Sequence, residues 1–286
     1  MGATLSLALV LMTAAGCAGL QTSLERQFIP TPVLANAAFA QSPSTQTASA
    51  EQVRIDHAAW DTFLGAYLIE SSDGVNRVNY AGVNADAKAN LDAYIDMLEA
   101  VDPAQLSRDE QLAFWINLYN AVTVAVILDA YPVESIRDIK SNPFDFSGPW
   151  DDDRVTVAGQ ALSLNAIEHE IIRPVFKDPR IHYAVNCASI GCPNLRPEAF
   201  RAETLDRALN EQARAYVNHP RGVSVSARGK ITASKIFTWY REDFGADEAA
   251  VLDHVRQYAD QELLDALDGK TSIDAYAYDW SLNETP

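Results

Sequence analysis

Residues 107–132 read SRDEQLAFWINLYNAVTVAVILDAYP, and this stretch decides the fold. Ser107 followed three residues later by Glu110 is the capping-box signature of a helix start. Tyr131-Pro132 is a stop, because the residue before a proline is driven out of the helical region. Between these signals, Leu112 to Leu128 is apolar nearly all round. A helix with no polar face has nothing to show to water, so the stretch predicts a central helix buried under the other elements. Gln111, Asn117, Asn120 and Thr123 interrupt the run, and an unpaired buried amide costs about 1–3 kcal/mol. Asn117 and Asn120 lie three apart on one helix face. They either hydrogen-bond neighbouring loops, the commoner fate of buried polar groups, or line a site.

Upstream, Trp60, Phe63, Leu64, Tyr67 and Leu68 fall at helical spacing, as do Leu91, Tyr94, Ile95 and Leu98 before Pro103. Downstream the pattern changes. RVTVAGQALSL (154–164) alternates on both sides of Ala158-Gly159-Gln160 and predicts a β-hairpin. Asn165 with Glu168 repeats the capping-box pattern and opens a short helix, AIEHEIIR (166–173). Its period puts Ile167 and Ile171 on one face and His169 with Arg173 on another, and Pro174 ends it. After the Asp178-Pro179 turn, strict alternation from Arg180 to Asn186 predicts a strand, with Ile181, Tyr183 and Val185 on one side and His182, Ala184 and Asn186 on the other. A helix carrying Leu205, Leu209, Tyr216 and Val217, a hairpin at Arg228-Gly229, acidic helical turns over 248–268 and a last strand in SIDAYAYDW (272–280) follow. The pattern is α+β: a mainly helical single domain over 53–286, with a central buried helix and short antiparallel strands or hairpins in the second half.

The chain has 286 residues, 48% of them hydrophobic, and can bury a full core without a metal or disulfide. A net charge of −17 repels phosphate backbones and anionic membrane surfaces, so no nucleic-acid partner is expected. The opening MGATLSLALVLMTAAGCAGLQTS has the layout of an export signal, and we take residues 1–40 as a leader. Two cleavage points fit: before Cys17, where Ala14-Ala15-Gly16 resembles a lipobox and the cysteine would carry a lipid anchor, and after Ala38-Phe39-Ala40. QSPSTQTASAEQ (41–52) has no hydrophobic period and reads as a flexible linker. The expected location is outside the cytoplasm, periplasmic or lipid-anchored in a bacterium. Asp151, Asp152 and Asp153 diverge along the chain and read as a solvated turn.

RIHYAVNCASIGCP (180–193) holds two of the three cysteines. Three chemistries fit the pair. Cys187 is a candidate nucleophile, with His182 and His169 nearby as candidate bases and Arg173 or loop amides able to favour a thiolate. Alternatively, Cys187 and Cys192 form a disulfide, natural in an exported protein, that shapes the loop and silences the thiol. Zinc on His169, His182, Cys187 and Cys192 is the weakest, since the cysteine spacing is loose and the histidines sit on separate elements. We expect no metal and no cofactor. His57, His219 and His254 carry no motif.

Four segments together, FWINLYNA (114–121), SLNAIEHEIIR (163–173), RIHYAVNCASIGCP (180–193) and KIFTWYREDF (235–244), resemble the domain-of-unknown-function family number 547 over about 108–244. The resemblance implies that Asn117, Asn120, Glu168, His169, Arg173, His182, Asn186, Cys187, Ser189 and Cys192 occupy the family's motif positions. Gly191 stands where the family pattern suggests a serine. It implies no reaction, but the group holds the thiol, imidazoles and amides an acyl-transfer site requires. The expectation is a thiol-dependent hydrolase or acyl transferase, built on Cys187 with His182 or His169 and acting on a small molecule or an envelope polymer or peptide. The alternative is a non-catalytic binding or scaffold domain with a disulfide-shaped loop.

Overall fold

The computed structural model describes residues 53–140 and 148–286. The expected leader, Cys17, the Ala38-Phe39-Ala40 site and the whole 41–52 linker lie outside the described residues. Helix α1 (Ala58–Tyr67) runs into the hairpin β1 (Leu68–Glu70) and β2 (Asn76–Val78), followed by α2 (Ala85–Glu99) and the long α3 (Arg108–Ala130). That hairpin was not legible: the helical spacing of Trp60 to Leu68 overruns the true end of α1 at Tyr67.

Helix α3 behaves as its sequence predicts. Ser107 caps it, its Oγ accepting from the Glu110 amide at 3.3 Å. The capping box closes only halfway, because the Glu110 carboxylate accepts from the Ile55 amide at 2.9 Å instead. Every residue from Glu110 to Ile127 is buried. The helix is long and apolar enough to cross a membrane, but it is enclosed by the rest of the chain, so its hydropathy is that of a core helix. Phe114, Trp115 and Ile116 sit fully inside the larger core with Trp60, Leu98, Ile167 and Phe200. Truncating a ring such as Phe114 to alanine there costs about 3–5 kcal/mol.

The second half supplies β3 (Val155–Val157) and β4 (Gln160–Leu162), closed by Ala158 and Gly159 with φ of 50° and 78°, the left-handed pair a tight hairpin needs. The next helix differs from expectation. Asn165 is itself helical and caps nothing; Ser163 Oγ accepts from the Ala166 amide at 3.0 Å. The segment Ala166–Ile172 is π-helical and passes into an α-turn, Arg173–Phe176 (together α4). Pro174 sits inside the first turn of that second part, where its missing N–H is harmless, and Lys177 at φ 55° ends the helix.

The strand expected at 180–186 is absent. Pro179–Tyr183 is a 3₁₀ turn, capped by Asp178 through the Arg180 amide at 2.9 Å. Residues 181–186 are all buried, so their alternation separated no inner face from an outer one. Helix α5 (Leu205–Val217), the hairpin β5 (Val223–Val225) and β6 (Ile231–Ser234), the single turns α6 (Ile236–Trp239) and α7 (Arg241–Phe244), helices α8 (Glu248–Arg256) and α9 (Gln261–Ala266), and β7 (Ala275–Ala277) complete the chain. Strand β7 pairs with β6 in parallel, not as an antiparallel hairpin. This sheet covers a second core around Tyr183, Tyr216, Phe237 and Leu252. The architecture is α+β, as the pattern predicts.

The C-terminal segment then crosses back. Gly191 and Ile190 amides donate to the carbonyls of Asp279 and Ser281 at 2.8 Å each, Asn283 donates to the Ala188 carbonyl at 3.1 Å, and Val78 donates to the Asn283 carbonyl at 2.8 Å. It stitches the cysteine loop to β2.

Candidate active site

Glu168 and His169 from α4, His182 from the 3₁₀ turn, Cys187 and Cys192 from the loop, Tyr240 between α6 and α7, and Tyr278 after β7 line one cavity of about 130 Å³. That is close to the size that encloses a benzene ring. Trp150, Trp239 and Trp280 wall it, with Arg137 stacked over the Trp280 ring at 5.2 Å.

The loop bearing the cysteines is fixed from within. Asn120 of α3 accepts from the Asn186 amide at 2.8 Å and donates to the Ala184 carbonyl at 2.9 Å. Asn186 in turn accepts from the Ala188 amide at 2.9 Å and donates to the Pro193 carbonyl at 2.7 Å, which shapes a turn with Ala188 at φ 57°. Neither amide lines the cavity; both act through the loop. Asn117 points elsewhere: it pairs with the amide and carbonyl of Phe200 at 2.9 and 2.8 Å. It is a structural clamp outside the cavity lining, the loop-pairing one of the two fates its sequence left open. A side chain at Gly191 would meet the Asp279 backbone at 2.7 Å, which explains why glycine rather than serine stands here.

Cys187 and Cys192 are free thiols with sulfurs 2.7 Å apart. Cys187 Sγ also lies 2.9 Å from Tyr278 Oη and 3.3 Å from Ser189 Oγ, and Ser189 Oγ lies 3.0 Å from Tyr278 Oη. Burial alone would raise the Cys187 thiol, but the hydrogen bonds from Cys192, Ser189 and Tyr278 override it and leave the thiol below its ordinary value. Burial and the neighbouring Cys187 push Cys192 up, so Cys187 is the more acidic thiol of the pair.

The two histidines are held in opposite ways. His182 Nε2 is 2.7 Å from Asp243 Oδ2, and its ring stacks on Tyr240 with centroids 4.0 Å apart. His169 Nδ1 is 2.9 Å from Arg173 Nη1, the contact their helical spacing predicted. Arg173 is a hub: Nε donates to Asp243 at 2.6 Å, Nη2 donates to Glu242 at 3.0 Å, and the guanidinium lies 5.1 Å over the Tyr240 ring. Burial would raise the Asp243 carboxyl, yet hydrogen bonds from His182 and Arg173 hold it well below the usual carboxylate range. Burial lowers His169, and the positive charge of Arg173 adds to that.

Glu168 Oε1 and His182 Nδ1 are among the buried side-chain atoms that have no hydrogen-bond partner among the described residues, and they face each other at 3.7 Å. Neither histidine is hydrogen-bonded to Cys187 in this state; all three meet through the cavity. Among the described residues no group of three or more His, Cys, Asp or Glu could hold a metal ion, so the His169, His182, Cys187 and Cys192 set does not converge on zinc. Sequence reasoning missed Asp243, Tyr240 and Tyr278. The first two lie inside the KIFTWYREDF motif, where two acidic residues in a row gave no sign of which one turns inward. Tyr278 had no local signal, since it arrives by the C-terminal crossing.

Residues 103–217 match a family model described as protein of unknown function, DUF547, so a domain of that family is present. The match covers both histidines and both cysteines of the cavity, while Tyr240, Asp243 and Tyr278 follow it in the chain. No curated protein and no solved structure matches the chain.

Proposed function

We propose that the cavity of this DUF547 chain is the active site of a thiol-dependent hydrolase or acyl transferase, with Cys187 as nucleophile and His182 as its base. One observation carries the proposal: a thiol held below its ordinary value by three neighbouring groups opens into the same cavity as a carboxylate-oriented imidazole. Asp243 is an acceptor, so it fixes the proton of a neutral His182 on Nε2 and leaves the lone pair on Nδ1. A proton passed from Cys187 to Nδ1 would then point at Glu168 Oε1, and would give both unpartnered atoms their missing hydrogen bond. The long 3.7 Å separation is of the kind that tightens once the charge appears. The thiolate attacks an acyl carbon, Nδ1–H protonates the leaving group, and water or a second acceptor takes the acyl group from sulfur. The substrate is an amide or ester of the cell envelope, met after export; the 1–40 leader supports that location, with Cys17 as the candidate lipid anchor.

The test is acylation by p-nitrophenyl acetate, read as an acetyl mass on Cys187 and a burst of p-nitrophenol. The expected result is a burst in wild type, none in Cys187→Ala and a slow one in His182→Asn. A burst that survives Cys187→Ala ends the proposal. The 2.7 Å approach of the sulfurs favours one alternative, a non-catalytic scaffold closed by a Cys187–Cys192 disulfide. Alkylation mass spectrometry of the exported protein without reductant separates the two: a fast-labelled Cys187 supports the enzyme, a blocked pair the scaffold.

A further inference from the structure

We infer that His169 is a catalytic hydrogen-bond donor, a neutral imidazole whose Nε2–H binds the carbonyl oxygen of the acyl group attacked by Cys187. This rests on the acyl-transfer proposal and adds the group that stabilises its oxyanion. The argument begins with Arg173, which can only donate. Its Nη1 stands 2.9 Å from His169 Nδ1, so Nδ1 must be the acceptor and the ring proton sits on Nε2. Arg173 cannot turn away, because Asp243 holds Nε at 2.6 Å, Glu242 holds Nη2 at 3.0 Å, and Tyr240 lies beneath the guanidinium. A second proton on the ring would set N–H against N–H beside a buried cation, and burial also disfavours the charged imidazole. His169 therefore cannot serve as the base; its donor is fixed while the ring lines the cavity that Cys187 opens into. Arg173 is the positioning residue for that donor.

This defines the ligand chemically: an electrophilic carbon bearing an acceptor oxygen, that is, an acyl carbonyl and not an alkyl group. In the acylation step Cys187 Sγ forms the C–S bond, and the carbonyl π pair moves onto oxygen, which is held by His169 Nε2–H. The oxyanion then collapses and expels the leaving group. The thiol proton resides on His182 Nδ1 until the leaving group takes it.

The experiment compares two reactions at the same sulfur. Acylation by p-nitrophenyl acetate passes through an oxyanion, whereas alkylation by iodoacetamide does not. We expect His169→Leu to slow acylation about 10²-fold with alkylation of Cys187 unchanged, as for loss of one oxyanion donor. His169→Gln, which keeps an N–H donor, should recover part of the loss. Long-range ¹H–¹⁵N spectra of ¹⁵N-histidine-labelled protein, assigned by the signal missing in His169→Gln, should show His169 as the neutral Nε2–H tautomer at pH 7. An Nδ1–H tautomer, an imidazolium, or equal loss of acylation and alkylation in His169→Leu overturns the donor assignment alone. If wild-type Cys187 is alkylated but never acylated, the acyl-transfer proposal fails and takes this one with it.

Discussion

Two groups of buried polar side chains in this molecule sit under similar cover and end in opposite states. Asn117 and Asn120 on α3 are saturated, each pairing with backbone on both the oxygen and the nitrogen of its amide. Glu168 and His182, 4% and 3% exposed, each keep one atom unpartnered. Saturated buried amides specify one arrangement of loops and are explained by folding alone. An unpaired carboxylate oxygen facing an unpaired imidazole nitrogen costs stability, and chemistry that places a proton between them is a physical reason for keeping it. If that contrast is right, His182→Ala costs the site far more than the fold. Acylation of Cys187 should fall about 10²–10⁴-fold, the range for a general base. The thermal midpoint should stay within a few degrees of wild type. A large loss of stability with little loss of acylation would reverse the comparison.

Two other buried histidines pair with protein groups away from the cavity. His57 Nδ1 pairs with Tyr94 Oη at 2.7 Å and Nε2 with Asn117 Nδ2 at 3.3 Å; His254 Nε2 pairs with Tyr183 Oη at 3.0 Å. Burial lowers both rings to about 4. The unfolded chain, with ordinary histidines near 6.5, then binds these protons before the native state does. Stability is full above that value and is lost as pH falls from 6.5 toward 4, by about 3 kcal/mol for each ring. Urea melts at pH 7 and pH 5 measure it. The difference between them should shrink in His254→Gln, which cannot take up the proton.

A third measurement divides the two α3 amides from each other. Asn117→Ala strands the amide and carbonyl of Phe200, and should cost about 2–3 kcal/mol with Cys187 alkylation unchanged. Asn120→Ala should cost a similar amount and also alter alkylation, because its partners at 184 and 186 lead directly into the cysteine loop. Equal effects of the two on labelling would show that neither amide has a privileged link to the site.

The sequence made α3, its cap and its buried polar residues legible, because an apolar run with a start and a stop signal has one solution. It also brought His169 to Arg173, since that contact is set by helical spacing within one element. What failed was anything decided between elements. The alternation at 180–186 suggested a strand, yet every side chain from 181 to 186 is buried and Asn120 captures the backbone instead. Asn165 looked like a cap, but Ser163 lay closer to the orphan amide. Tyr278 reaches Cys187 from 91 residues away, on a segment whose docking depends on Gly191. Local pattern carries no information about such an arrival.

Tyr278 gives the finest test of the thiolate. Its hydroxyl, 2.9 Å from Cys187 Sγ, is one of three groups that hold the thiol below its ordinary value against the effect of burial. A lowered thiol remains ionised to lower pH, so the alkylation rate of Cys187 should reach its half-maximum below about 8.5, the midpoint of a free cysteine. Tyr278→Phe removes one donor, worth about 1 kcal/mol, and should move the curve up by about half to one pH unit. At pH 6 this appears as a threefold to tenfold slower reaction, while at pH 10 the rates converge, since both proteins are then fully thiolate. A variant that merely loosened the loop would change the plateau as well. Slower alkylation at every pH, with no displacement of the midpoint, would make Tyr278 a packing residue and leave Cys192 and Ser189 as the groups that hold the charge.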